Sequence, residues 1–535
     1  MGSAKIALLV MLVGLMFTGI SVQAQSDDPF IASASTAVVS TEAGQLQGFV
    51  KDDIYTYLGV PYATAERFMM PEPVEPWEGI RGALSYGEIC PSPPMTEVAN
   101  DELFNPHRYF PMNENCQFLN IWTPGVQDEQ KRPVMVWLHG GGWTNGSSIE
   151  QVAYDGENLS RNGDVVVVTL NHRINILGYL DLSVYGEAYK YSGNSGVADM
   201  VAALEWVQTN IAEFGGDPDN VTIFGQSGGG RKVLSMLAVP AAEGLVDKAV
   251  VQSSSYTFPT QEWSQRVAEL TLENLGLQPD QIDAIQTVPY LELLEAGNLA
   301  LSQTADEGLG SASWSPMIDG DYFPAGPGDP EFAERTSGIP LMVGSVLTER
   351  ATVITRDPVE LQSDNPIGWS VEEATARLEE RFGEDGTAVA EAFLAAYPQK
   401  EYAHAYFVDE RTRPNVIALA DMMSAREAPV YTYTFAFFSP VMDGIGMAWH
   451  CSEIPYVFDN VELVYSATGG GEAAQAMADK VSQAWINFAR FGDPNHEGLP
   501  EWPVYASENG ASMVFDGVPY VGFHHDAELL SLITQ

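Results

Sequence analysis

Residues Phe224 to Val233 read "FGQSGGGRKV", a serine and a lysine inside a glycine-rich run. Two chemistries use such a run. A phosphate-binding P-loop needs Gly, four residues, Gly, then Lys and a hydroxyl residue in direct succession. Gly225 and Gly230 have that spacing, but Arg231 stands where the lysine belongs and Val233 where the magnesium-binding hydroxyl belongs. The second chemistry is a serine nucleophile on a sharp strand-to-helix turn. Gly225-Gln226-Ser227-Gly228-Gly229 fits G-x-S-x-G at every position, after a strand-like "NVTIFG" and before a helix-compatible "GGGRKVLSMLAV". Glycines flank such a serine because side chains there collide with the neighbouring strand and helix. The reading is acyl transfer on Ser227.

Acyl transfer also needs donors for a developing oxyanion, a base and an acid that orients the base. "WLHGGGW", Trp137 to Trp143, follows an apolar run and carries three successive glycines. Gly141 and Gly142 are expected to turn their N–H groups to one point, with Gly228 as a third donor. There are eight histidines. His139 belongs to the glycine motif with a structural role, and His172 sits at a strand end. His107, His404, His496, His524 and His525 stand in polar or terminal surroundings and read as solvated. His450, late in the chain in "GMAWHCSEIPYVF", suits the order Ser…acid…His. The acid then lies between Ser227 and His450. Glu349 follows the buried run of "PLMVGSVLTERATVI", the best location on pattern; Asp319 and Asp421 compete.

Elements must hold these residues together. Val134–His139, Val165–Leu170, Val221–Gly225, Ala249–Gln252, Leu341–Gly344 and Val430–Phe435 read as buried strands. Helical patterns lie between them, clearest over Asp199–Phe214, where Met200, Leu204, Val207, Ile211 and Phe214 share a face. This alternation predicts an α/β fold, a mostly parallel sheet covered on both sides, with its chemistry at the carboxyl ends of the strands. Residues 260–335 and 355–425 are acidic and helix-rich, and read as insertions or a cap. Trp143 and Trp314 are candidates for the acyl side of the site, although such aromatics are as often core.

The whole chain bounds the function. It has 535 residues, 45% of them hydrophobic, too apolar for disorder. The first residues, "MGSAKIALLVMLVGLMFTGISVQAQ", carry Lys5, an apolar run over Ile6–Ile20 and small residues at Val22-Gln23-Ala24, the pattern of a secretory signal peptide cut after Ala24. The run is short for a membrane span, and a secreted or periplasmic protein without stable membrane insertion is expected. Lys and Arg number 25 against 72 Asp and Glu, a formal charge of −47, which repels nucleic acid. The three cysteines are Cys90, Cys116 and Cys451. Export favours disulfides. Cys90 and Cys116 are the natural pair, closing a loop worth roughly 3 kcal/mol, with Cys451 left as a buried, inert thiol. Oligomeric state is not legible.

Taken together these stretches resemble the type-B carboxylesterase family, which includes the cholinesterases and their non-catalytic adhesion relatives. "YLGVPYA" with "RFMMPEPVEPWEG", "NENCQFLNIWTP", "NHRINILGYL", "GNSGVADMVAALEWVQTNIAEFGGDPDNVTIFGQSGGG", "SPMIDG" and "WINFARFGDPN" match family landmarks in order. The resemblance implies an α/β-hydrolase fold in one domain over residues 25–535 behind a signal peptide at 1–24. It implies a secreted serine hydrolase of small-molecule carboxylic esters, with no metal and no organic cofactor. Residue by residue it implies Ser227 as nucleophile, Glu349 as acid, His450 as base, Gly141, Gly142 and Gly228 as oxyanion donors, and a Cys90–Cys116 disulfide. Amide, thioester or carbamate bonds are the alternative substrates of such a site. An adhesion protein of this fold would be expected to lose Ser227, His450 or the glycines, all of which are present. The usual elbow is G-E-S-A-G; here Gln226 and Gly228 depart from it, and Ser254 stands where a glycine is common.

Overall fold

The computed structural model describes residues 30–95, 102–309, 313–349, 351 and 365–534. Residues 1–24, expected to form a signal peptide, lie outside the described residues. The main sheet is built from twelve strands: β1 (Phe30–Ile31), β2 (Phe49–Lys51), β3 (Ile54–Pro61), β4 (Phe118–Thr123), β5 (Arg132–Leu138), β6 (Val166–Leu170), β7 (Gly216–Gln226), β8 (Lys248–Gln252), β9 (Leu341–Val346), β10 (Val430–Phe435), β11 (Ala511–Phe515) and β12 (Tyr520–Phe523). Their order is β1-β2-β3-β4-β6-β5-β7-β8-β9-β10-β11-β12. The run from β6 to β11 is parallel throughout, and the strands outside it pair antiparallel.

All six runs read as buried strands lie side by side in the parallel centre, with ends displaced by a few residues. Every residue of β5 and β6 is buried, which is why these strands show no polar alternation. Side chains alternate across the sheet. Val134, Val136 and Leu138 of β5 join one apolar layer, and Met135 and Trp137 join the opposite one. The first layer is closed by helix α1 (Ser195–Asn210), whose Met200, Leu204 and Val207 all sit in it. The expected helical stretch thus begins earlier, and its end over Ile211–Phe214 tightens into a 3-10 turn. The second layer is closed by a late helix, Gly471–Phe491, through Met477, Val481, Trp485 and Phe488. Residues 260–335 and 365–424 form crossovers between sheet strands, with helices at Gln261–Leu275, Tyr290–Asp306, Val371–Phe382, Gly386–Ala396 and Thr412–Ser424.

The strand order decides where the chemistry emerges. In the β5–β7 ladder Leu138 pairs with Gly225. The glycine motif after β5 and Ser227 after β7 therefore leave the sheet side by side. Glu349 follows β9, separated from β7 by β8 alone.

Candidate active site

Ser227 stands between β7 and helix α2 (Gly228–Ala238) with φ 59° and ψ −122°. A non-glycine residue is strained there, and persists only where its surroundings fix it. They do so on both sides. The Ser227 N–H donates to Gln252 O at 2.8 Å and the Ser227 carbonyl accepts from Gly230 N at 3.0 Å. It also accepts from Ser254 Oγ at 2.8 Å. Gly230 and Ser254 are matched, since a Cβ on Gly230 would stand 2.6 Å from the Ser254 Cβ. Gly225 and Gly229 are required by packing: a Cβ on Gly229 would meet Leu138 O at 2.0 Å, and one on Gly225 would meet the same oxygen at 2.6 Å. Within Gly225 to Gly230, Ser227 is the residue that is not buried.

The glycine loop after β5 turns back at Gly141 (φ 79°) and Gly142 (φ 62°), left-handed conformations that glycine adopts without steric cost. This brings Gly142 against Gly228, so the three glycines expected as donors stand together. Trp143 and Trp314 are 1% and 2% exposed. They are core residues, Trp143 packed edge-on against Tyr179.

His450 Nδ1 is hydrogen-bonded to Glu349 Oε2. Of the three acids considered, this is the one beside the imidazole. Asp319 accepts from Asn194 Nδ2 and from the Asp321 and Phe323 amides, and Asp421 accepts from Tyr505 and Ser507 hydroxyls. Burial disfavours the charged His450 ring, but the Glu349 carboxylate outweighs it, with Glu453 and Asp409 adding to the effect, and the ring is held above the usual histidine range. Among the described residues no hydrogen bond joins Ser227 Oγ to the ring. The imidazole meets the elbow through Gln226, whose Nε2 lies 3.4 Å from both ring nitrogens. Contacts of this kind commonly tighten only with substrate bound.

Three features escaped the sequence reading. Glu453 is fully buried and accepts from Gln252 Nε2 at 3.3 Å; burial, then the nearby Glu349, pushes its carboxyl up to about 7. Its position three residues after His450 was the available signal. Lys232, read only as a failed P-loop lysine, is fully buried and turned toward the glycine loop. His525, expected to be solvated, has a side chain 9% exposed, and burial pushes it down to about 4; His404 is likewise pushed down to about 4. The expected disulfide is present, joining Cys90 to Cys116 with Cα atoms 5.0 Å apart. Cys451 lies outside the disulfide, half-buried rather than buried, and donates to Gln226 Oε1 at 3.1 Å.

A mostly parallel sheet of this order, with a G-x-S-x-G turn leaving a central strand beside a glycine loop, defines an α/β-hydrolase. Sequence and structural comparison make the class specific. The profile of the Carboxylesterase family matches residues 35–521, and the chain belongs to that family of carboxylic-ester hydrolases. The para-nitrobenzyl esterase of Bacillus subtilis (strain 168) is 34% identical over 489 residues, covering 90% of this chain and 94% of its own. The fumonisin B1 esterase of Sphingopyxis macrogoltabida is 31% identical, covering 93% and 88%. A solved esterase from the anaerobe Clostridium hathewayi, which can hydrolyze aliphatic aromatic polyesters, superposes with a TM-score of 0.88 at 41% identity, covering 94% of this chain and 99% of its own.

Proposed function

We propose that the chain is an exported esterase that works through an acyl-enzyme on Ser227. The observation that carries this reading is convergence. A strained serine, a left-handed glycine loop and an imidazole bonded to a buried carboxylate leave the same side of the sheet. In the mechanism, Ser227 Oγ attacks the ester carbonyl and the His450 Nε2 takes its proton. The carbonyl π pair moves to oxygen, where the Gly141, Gly142 and Gly228 N–H groups receive it. Glu349 fixes the Nδ1–H tautomer and stabilises the imidazolium. Collapse of the tetrahedral intermediate breaks the bond to the alcohol, which leaves with the proton from His450. Water, deprotonated by His450, then releases the acid and restores Ser227.

The test is a pre-steady-state burst of p-nitrophenol from p-nitrophenyl acetate. Ser227→Ala and His450→Ala are each expected to lower kcat by roughly 10⁴–10⁶ while the protein stays folded. A burst that survives Ser227→Ala overturns the assignment. The activity of the Clostridium hathewayi relative supports placing aliphatic aromatic polyesters in the substrate panel, scored as acid released above the Ser227→Ala background. Export rests on the leader pattern ending at Ala24. Amino-terminal sequencing of the mature protein is expected to begin at Gln25, and an intact leader on active protein contradicts it.

A further inference from the structure

Lys232 lies one helical turn beyond Gly228 on α2 and is 0% exposed. Its ammonium lies in no ion pair among the described residues; Glu150 acts on it from beyond contact distance. Instead Nζ donates to the His139 carbonyl at 2.7 Å and to the Gly140 carbonyl at 3.2 Å. The His139 Nδ1 also lies 3.0 Å from the Gly140 carbonyl. Burial disfavours the charged amine, yet either protonation state leaves at least two N–H groups, enough for both carbonyls.

The consequence follows from peptide planarity. In a trans peptide the C=O of one residue and the N–H of the next point in opposite directions. Holding the Gly140 oxygen therefore aims the Gly141 N–H the other way. The next peptide is held likewise, because Gly141 O accepts from Asn145 N at 3.0 Å, which aims the Gly142 N–H. Glycines at positive φ have little intrinsic preference for one orientation, so these carbonyl contacts are what select it. We propose that Lys232 is a positioning residue of the oxyanion hole, gripping the His139 and Gly140 carbonyls so that the Gly141 N–H points at the reacting oxygen. Because Lys232 and Gly228 share one helix, donors from both loops are tied to one rigid element.

This inference rests on the acyl-enzyme reading above, and its test separates the two. Lys232→Met keeps the length and removes the donors. It is expected to lower kcat by roughly 10²-fold, the size of losing one oxyanion donor, with KM changed by no more than about threefold. The inhibition constant of a trifluoromethyl ketone, which forms a hemiketal oxyanion on the serine, is expected to rise by the same factor as kcat/KM falls. A lysine that only supports the fold would not move the ketone constant in step with kcat. Unchanged kcat, or a fall in kcat with an unchanged ketone constant, overturns the proposal. Should Lys232→Met not fold, Lys232→Gln, polar but too short to reach the carbonyls, is read by the same two criteria. If Ser227→Ala is inactive and the Lys232 variants are not impaired, only the role of Lys232 fails. If Ser227→Ala keeps its burst, the reading of the site fails with it.

Discussion

Gly228 and Gly142 are in backbone contact: a Cβ added to Gly228 would stand 2.5 Å from the Gly142 nitrogen and 2.3 Å from its oxygen. The type-B pattern places alanine at this position, so the loop here occupies space that alanine would need. Gly228→Ala is therefore expected to push the Gly140–Gly142 segment outward and misplace its donors. We predict a fall in kcat of about 10-fold or more with the fold retained, since losing a donor outright costs roughly 10²–10³. Steady-state kinetics checks it, and unimpaired turnover in Gly228→Ala shows that the loop yields without cost.

The His450–Glu349 contact sets a pH dependence. The base works as neutral imidazole, and Glu349 holds the ring above its ordinary value. The acid limb of kcat/KM should then lie above about pH 6.5. Glu349→Gln removes the strongest opposing influence and leaves burial, which favours the neutral ring. The limb should move to lower pH while kcat falls by roughly 10⁴. A limb that stays in place in Glu349→Gln, or that moves to higher pH, contradicts this.

A second buried pair governs stability rather than turnover. Arg413 Nε lies 2.7 Å from Asp526 Oδ2, with both side chains 5% exposed. Burial pushes the Asp526 carboxyl up, but the Arg413 charge and hydrogen bond win and bring it down to about 2. A carboxyl depressed on folding contributes stability above its unfolded value, near 3.9, and that stability is lost as pH falls through about 2. Asp526→Ala is expected to cost about 3–5 kcal/mol at neutral pH, by leaving Arg413 buried without its partner. Denaturant unfolding measures it. The gap between native and variant should close toward acid pH; a gap independent of pH would place the cost in packing.

Charge imbalance predicts salt dependence. With a formal charge of −47, most carboxylates have no basic partner and repel one another. Raising sodium chloride shortens the screening length from ~30 Å at ~0.01 M to ~3 Å at ~1 M. The melting temperature should rise across that series, and a flat or falling series would mean that bound cations already neutralise the surface.

Much of the site could be read from sequence because its parts are local. The elbow is one continuous strand, turn and helix with a recognisable local pattern, even though the atoms that require its glycines, from Leu138, Gly142 and Ser254, lie at the ends of two other strands. The strands at the sheet centre announce themselves because burial on both faces leaves them almost wholly apolar, as in "VMVWL" and "VVVVTL". The flanking strands, such as Ile54–Pro61 and Phe118–Thr123, mix polar with apolar residues and were not placed as strands from pattern. Which acid meets His450 was a different kind of question. Glu349 is 101 residues away, and Asp319 and Asp421 satisfy the same chain order. Only the pairing of β9 with β10, continued beyond the strands by the hydrogen bonds between Thr348 and Ala448, brings Glu349 to the imidazole and leaves the other two bonded elsewhere. The direction of Lys232 was equally hidden. A lysine in a glycine-rich run reads the same whether it faces solvent, a phosphate or the protein interior. What turned it inward is the approach of β5 to the amino-terminal end of α2, which places two backbone carbonyls within its reach.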